Sequence, residues 1–310
     1  KIPYQYRANY GYATSQSSTS LLGGYIFGET PLEDPLLQQT VVPNPVVTWE
    51  TAVQSNIGVE AQLLNNKLGV EFDYFSYSRS DILLPRSGTV PGSTGITTSL
   101  PDMNMGETTN KGFEVVLSYR NNIKDLTYYI SVNGSYAKSN VDYMDEVIKG
   151  VPSYQLITGK PIPTNIRQPA YELYYQAMGI YKDQAQITAD DADVYPVGSV
   201  NSEGVSNAGL PKRPHWEGAR PGDIILEDVN ADGKIDALDQ VRNEYTNIPR
   251  FTGGLNIDLK YKQFDLSVLF QGAAGAMQFY LPYSGLLVNF PKDFTYNRWT
   301  QTNTATSYPR

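Results

Sequence analysis

Apolar and polar residues alternate with a period of two in three paired stretches of the chain. In the first, Val53, Ile57, Val59, Ala61 and Leu63 share one side, with Gln54, Asn56, Glu60 and Gln62 opposite. After Asn65-Asn66-Lys67, the apolar side continues through Leu68, Val70, Phe72 and Tyr74, against Glu71 and Asp73. The second stretch sets Phe113, Val115, Leu117 and Tyr119 against Glu114 and Ser118, then Leu126, Tyr128, Ile130, Val132 and Tyr136 against Thr127, Ser131, Asn133 and Ser135. In the third, Leu255, Ile257 and Leu259 oppose Asn256 and Asp258, and Phe264, Leu266, Val268 and Phe270 oppose Asp265, Ser267 and Gln271. Period two held through a tight turn predicts a β-hairpin in each case. Residues 4–13 read as a further strand, and the longest helix candidates, near 141–149 and 169–179, are short.

The connections carry more information than the strands. Asn65–Lys67, Asn121–Asp125 and Tyr261–Gln263 are short, whereas Ser80–Asn110, Ser139–Arg250 and the stretch Ser15–Thr48 are long. Short and long alternate, so an up-and-down sheet has all short turns at one end and all long loops at the other. Outer-membrane barrels share that asymmetry. Strands of about 10 residues at ~3.3 Å each, tilted near 45°, rise roughly 23 Å, close to the ~25 Å apolar band of such barrels. The fold class expected is all-β: an antiparallel up-and-down transmembrane β-barrel section with long extracellular loops. In it Val59, Phe72 and Leu266 meet lipid, and Glu60, Asp73 and Asp265 face the lumen. A soluble β-sandwich also gives one apolar face per strand, so a soluble or surface-attached β-domain, a calcium-stabilised carbohydrate binder or adhesin, is the alternative. Compact sandwiches seldom carry irregular connections above ~15 residues, which favours the barrel.

Composition narrows the functions. The 310 residues include 24 Tyr and 26 Gly with 18% charged residues, a strand-and-turn usage. A net charge of −8 argues against nucleic acid as a partner. Without cysteine and with a single histidine, His215, thiol chemistry and multi-histidine metal sites are excluded, and no nucleophile-elbow sequence accompanies His215. No catalytic residues are expected, and His215 reads as a solvent-facing loop residue. The carboxylates of the strands alternate with apolar residues and read as a polar lumen face. Aromatics of the long loops (Trp49, Tyr154, Tyr171, Tyr174, Tyr175, Tyr181, Trp216) suit either stacking on a ligand or a barrel rim. The first residues, Lys1 to Tyr4, carry no basic–apolar leader.

The sharpest local motif is DVNADGKIDALD, Asp228 to Asp239. Asp228, Asn230 and Asp232 occupy the first, third and fifth positions of a calcium loop, with Gly233 at the sixth for the sharp turn. Lys234 would offer its carbonyl, Asp236 would bind directly or through water, and Asp239 would close the loop. Oxygen donors alternating toward one centre suit a hard cation, Ca2+ ahead of Mg2+, clamping a long loop. The last position is Asp rather than Glu, and the flanks do not read as two helices. The alternative is an Asx-rich turn held by its own side chains.

Four blocks together resemble the SusC/RagA-type TonB-dependent outer-membrane transporters of Bacteroidota. Trp49-Glu50 with Asn56-x-Gly58-x-Glu60 resembles one hairpin of that family, and Gly106 with Asn110–Glu114 a second block. Pro221-Gly222-Asp223 leading into Asp228–Gly233 resembles its loop, and IPRFTGGLNIDLKYKQFDL its Pro, Gly and Tyr-Lys-x-Phe-Asp-Leu pattern. The terminal YNRWTQTNTATSYPR is family-like too. The resemblance implies that residues 1–310 form a middle-to-late section of a large plugged barrel in a Gram-negative outer membrane, with 139–250 a long extracellular region holding the loop 228–239. It implies import of oligosaccharides or peptides, a SusD-like surface lipoprotein as lid, and TonB acting through a plug outside these residues. A passive porin-type barrel is the third option.

Overall fold

The computed structural model describes residues 7, 9–12, 24–27, 32–35, 37–86, 88–90, 92–95, 100–163, 166, 172–278 and 290–310. Four short strands come first: β1 (Asn9–Tyr12), β2 (Gly24–Phe27), β3 (Leu32–Pro35) and β4 (Leu37–Val41). β1 pairs with β4 and β2 with β3, so the expected long connection 15–48 contains strands of its own. Of the expected strand 4–13, residues 9–12 are strand and the others, Arg7 apart, lie outside the described residues.

The three expected hairpins form one antiparallel sheet. Its strands are β5 (Thr51–Leu63), β6 (Leu68–Leu84), β7 (Met103–Ile123) and β8 (Leu126–Tyr143). Between β8 and the last pair, the chain forms β9 (Leu173–Tyr175), β10 (Ala177–Ile180), α1 (Gln184–Ala192), β11 (Ile224–Leu226) and β12 (Gln240–Arg242). The last pair is β13 (Phe251–Tyr261) and β14 (Phe264–Ala274). The six-stranded order is β14-β13-β8-β7-β6-β5. A short helix, α2 (Lys292–Asn297), follows. The two helix candidates of the sequence are corrected. Residues 141–143 end β8 and 144–149 are not helical, while the described part of 169–179 belongs to β9 and β10.

Register turns three separate alternations into one surface. Leu63 pairs with Leu68, Val70 with Leu117, Leu117 with Val132, Val132 with Leu255 and Leu255 with Phe270, so the apolar faces of all six strands coincide. Nothing among the described residues covers this face: Ile57 is 71% exposed and Phe264 78%, with Val59, Phe72, Val132 and Leu266 also exposed. A sandwich would bury these side chains against a second sheet. The opposite face pairs Glu60 with Glu71, Asp73 with Glu114, Ser131 with Asn256 and Lys260 with Asp265, interrupted by Val116 and Leu269.

The apolar face is banded. Tyr74, Phe113, Tyr136 and Phe251 lie side by side across four strands, with ring centroids of Phe113–Tyr136 at 5.7 Å and Tyr136–Phe251 at 4.6 Å. Toward the short turns a second row holds Tyr119, Tyr128, Tyr261 and Phe264, with Tyr119–Tyr128 at 5.9 Å. Aliphatic residues fill the interval. Phe251 and Tyr261 are ten positions apart on β13, about 33 Å along the strand and about 23 Å at a 45° tilt, the height of an apolar band between aromatic girdles.

β6, β7 and β8 run to 17, 21 and 18 residues, longer than the ~10 expected, and their extra length lies on the long-loop side. There the pairing shifts between Arg79 and Ile82 and between Glu107 and Thr108, with Asp81 at φ 59°. Beyond these bulges the sheet has a dry core of Leu84, Val141, Met144 and Ile157, each burial contributing about 1.5–3 kcal/mol. Asp145 accepts from the amides of Gly88 and Thr89, and Glu146 from those of Ile157 and Thr158. Gly112, in the Asn-Lys-Gly-Phe-Glu block, lies under the Phe75 ring on the polar face; a Cβ there would meet that ring and the Tyr136 carbonyl.

The chain packs as two compact units: Lys1–Gly150 with Ile157–Gln168 and Ile248–Ala276, and Val151–Leu156 with Pro169–Asn247 and Met277–Arg310. The long stretch 139–250 is thus divided between them, and the second unit also takes in the family-like terminal segment.

Candidate functional site

The second unit is organised by a three-residue strand. On β11, Ile225 points into a core with Tyr181 and Ile187, while its neighbours Ile224 and Leu226 line a cavity. That alternation follows from the pleat. α1 supplies Ile187 to the core and is started by Asp183, whose carboxylate accepts from the Gln186 amide at 2.9 Å. Tyr181, grouped by sequence with the loop aromatics, is 1% exposed and belongs to this core. Burial raises its phenol pKa, reinforced by Asp190 and Asp191 and opposed by Arg213.

Asp228–Asp239 folds into a tight loop whose side chains accept from its own backbone. Asp228 accepts from the amides of Asp232 (3.2 Å) and Gly233 (2.8 Å), Asn230 from Asp232 (3.1 Å), and Asp232 from Lys234 (3.0 Å). Asp236 caps a 3-10 turn through the Leu238 amide at 2.7 Å. Asp239 is fully buried and ties the ends of the loop together, taking the Val229 amide at 2.9 Å and that of Asp236 at 2.8 Å. Lys234 is exposed. Gly233 has φ 79°, and a Cβ there would come within 2.8 Å of Leu210 Cβ, so the sharp turn needs glycine on both counts. Among the described residues no three acidic or histidine side chains converge as a metal-binding group.

The side chains of the loop are oxygen donors, the type a hard cation takes. Each carboxylate oxygen has a further lone pair beyond the one given to an amide. Asp228 is held above the ordinary carboxylate range by burial, with Gly233 and Asp232 amides pulling it down and the Asp239 and Asp232 charges pushing it up. Asn207 is buried beside the loop, its Nδ2 donating to Ala231 O at 3.1 Å, while its Oδ1 has no hydrogen-bond partner among the described residues.

Tyr154 and Gln155 brace the loop from outside: Tyr154 Oη donates to Leu238 O at 2.7 Å, and Gln155 Nε2 to Ala237 O and Gln240 O, each at 2.8 Å. Burial raises the Tyr154 phenol pKa, with Asp239 the largest of the charges adding to it. Inside, the Ile235 carbonyl accepts from Trp216 Nε1 at 3.1 Å. Trp216 in turn meets Tyr175 edge to face at 5.6 Å. These two aromatics, with Ile224, Leu226, Ile235 and Pro309, form much of the wall of a cavity of about 500 Å³.

His215 is not solvent-facing as expected. It is half-buried, with Nε2 2.9 Å from Asp191 Oδ1, Nδ1 3.0 Å from Trp216 O and its ring edge-on to Tyr181. The terminal segment closes the same region. Arg310 pairs with Asp223 at 2.6 Å, its amide donates to Gly222 O at 3.0 Å, and Trp299 Nε1 donates to Lys182 O at 3.3 Å. Of the other loop aromatics, Trp49 is 89% exposed, Tyr174 sits on β9, and Tyr171 lies outside the described residues.

The model of the family "TonB dependent receptor-like, beta-barrel" matches residues 3–310. TonB-dependent receptor P3 of Formosa agariphila is 27% identical, the alignment covering 99% of this chain and 29% of that protein. TonB-dependent receptor P26 of the same organism is 28% identical over 86% of this chain and 25% of its own length. The chain therefore spans under a third of the curated relatives it matches. Among solved structures, the RagAB peptide transporter superposes with a TM-score of 0.54 at 18% identity, covering 99% of this chain and 29% of that one. The RagAB peptide importer in the 'open-open' state gives 0.57 at 19%, with 99% and 28% covered. At these identities the structures share the fold.

Proposed function

Since the chain belongs to the TonB-dependent receptor-like β-barrel family, proteins of the outer membrane, we propose that it forms part of the wall and outer loops of an active importer of oligosaccharides or peptides. The observation that carries the reading is the exposed apolar face banded between two aromatic rows ten positions apart on β13, backed by a polar face. In this reading the apolar face meets lipid, the carboxylate-bearing face lines the lumen, and the long region 139–250 is extracellular. A SusD-like lipoprotein closes over it, and TonB acts through a plug outside these residues. No covalent chemistry is required, in keeping with relatives named as receptors. The soluble sandwich is set aside, because its apolar faces would be buried and the family is a barrel.

The experiment is uptake in whole cells carrying the full-length protein. Deleting its gene should abolish accumulation of a labelled oligosaccharide or peptide mixture, and a protonophore should do the same. Uptake that survives the protonophore would assign a passive porin instead, and uptake unaffected by deletion would refute import.

The loop 228–239 is proposed as a structural Ca2+ clamp, with Asp228, Asn230, Asp232, Asp236 and Asp239 side chains and the Lys234 carbonyl as donors. When bound, the cation would relieve the repulsion among these carboxylates. At a Ca2+ concentration 100 times its Kd, binding would stabilise the folded loop by about 2.7 kcal/mol. Thermal unfolding should shift upward with Ca2+ in the native protein and not in Asp232→Ala; an identical shift in both would remove the clamp.

A further inference from the structure

We infer that the cavity beside β11 is a recognition pocket for one apolar side chain of a short peptide, with Trp216 as its fixed wall and Ile235 as the link to the Asp228–Asp239 loop. The inference rests on the import reading for its physiological setting and goes beyond it in naming a site and a ligand chemistry.

The volume, about 500 Å³, lies within the ~300–1,000 Å³ range of small-molecule sites and accommodates more than one residue. Its walls are mainly apolar, from Ile224, Leu226, Ile235 and Pro309 together with the Tyr175 and Trp216 rings. Trp216 is half-exposed, yet its indole is not free to swing, because Nε1 is tied to the Ile235 carbonyl and its ring is met by Tyr175. A preorganised aromatic wall binds without the entropy loss of ordering a mobile one.

The polar groups at the cavity decide between a sugar and a peptide. A sugar ring brings hydroxyls that each need a partner once desolvated. Two of the polar side chains already have partners, and a third, Glu217, is exposed. Asp223 is bonded by Arg310 and by the Arg220 amide, and His215 by Asp191 and the Trp216 carbonyl. An apolar side chain needs none of them. Arg310 spends Nε and one Nη on Asp223 and, as a five-donor group, retains donors for a peptide carbonyl or carboxylate. A peptide with one large apolar residue therefore fits this wall better than a glycan.

Ile235 gives the pocket its second property. Its side chain lines the cavity and its carbonyl holds Trp216, while the residues on either side, Lys234 and Asp236, belong to the carboxylate loop. Loosening that loop should thus loosen the Trp216 wall.

The test uses the full-length protein purified in detergent, with calorimetric titration of Ala-Phe-Ala, Ala-Ser-Ala and maltotriose. Ala-Phe-Ala should bind at least tenfold more tightly than the other two. Ile224→Trp, which fills the cavity from an exposed position, should erase that preference, whereas the volume-conserving Ile224→Leu should keep it. An unchanged preference in Ile224→Trp would overturn the pocket. Maltotriose binding more tightly than Ala-Phe-Ala, and lost in Ile224→Trp, would overturn the peptide assignment. Cell uptake separates the two readings. Deletion-sensitive, proton-driven uptake without an Ile224→Trp effect on binding preference refutes the pocket and leaves import standing. A tenfold preference abolished by Ile224→Trp, with no uptake dependent on the gene, refutes import and leaves the pocket standing.

Discussion

The six-stranded sheet and the loop unit use similar side chains in opposite ways. In the sheet, Ile57, Val59 and Val132 stand open on a continuous face; in the loop unit, Ile187 and Ile225 are buried beside Tyr181. Carboxylates divide likewise. Those of the sheet sit in cross-strand rows on the polar face, whereas Asp228 and Asp239 are turned onto backbone amides. The difference teaches which solvent each region was built for. Apolar groups left open are stable against lipid but unfavourable against water, and an irregular loop in water must satisfy its own backbone.

The largest effect should come from the loop unit's core. Ile187→Ala removes a 3%-exposed side chain and should destabilise that unit by roughly 2–5 kcal/mol. Limited proteolysis should then cut within 184–247 while the sheet stays intact; concerted loss of both would break the distinction between the regions. Next, Val132→Arg places a charge midway between the aromatic rows and should cost roughly 2–4 kcal/mol of folding into bilayers. Ser131→Arg, one residue away on the polar face, should change folding by less than about 1 kcal/mol by the same reasoning. Equal costs from reversible unfolding in vesicles would invert or abolish the assigned faces.

The smallest effect concerns pH. Asp228 has a folded pKa raised above its unfolded value, so it holds its proton more tightly when folded. Its stabilising contribution is complete below the unfolded value of about 3.9 and is lost as pH rises through the higher folded value. In calcium-free buffer the loop unit should therefore lose some stability over that window, and Asp228→Asn should flatten the dependence. A loss of the same size in Asp228→Asn would assign the titration to another group.

Much of the sheet was legible because a strand exposes its periodicity directly: Val53 to Leu63 or Leu255 to Leu259 need no partner to show which side is apolar. Helix α1 was missed for the converse reason. QAQITADDA carries one large aliphatic residue, Ile187, too little to mark a helical face. The calcium-like spacing was legible as a loop, and the structure supplied what spacing lacks: Asp239 buried, Gly233 against Leu210, and Ile235 holding Trp216. The cavity was not legible, since Tyr175 and Arg310 are brought to Trp216, Ile224 and Ile235 from distant parts of the chain.

By itself the sequence determined the strands of the three hairpins, the faces of each hairpin, the alternation of short turns with long loops, and the loop 228–239. These depend on local stereochemistry, the two-residue pleat and the turn preferences of Asn and Gly. Only the tertiary structure decided that three hairpins share one register, aligning Tyr74, Phe113, Tyr136 and Phe251 into a single row. It also decided that His215 and Tyr181 turn inward and that the terminal segment closes on Asp223. Those outcomes depend on non-local pairing, where a shift of one residue would send every side chain to the other face.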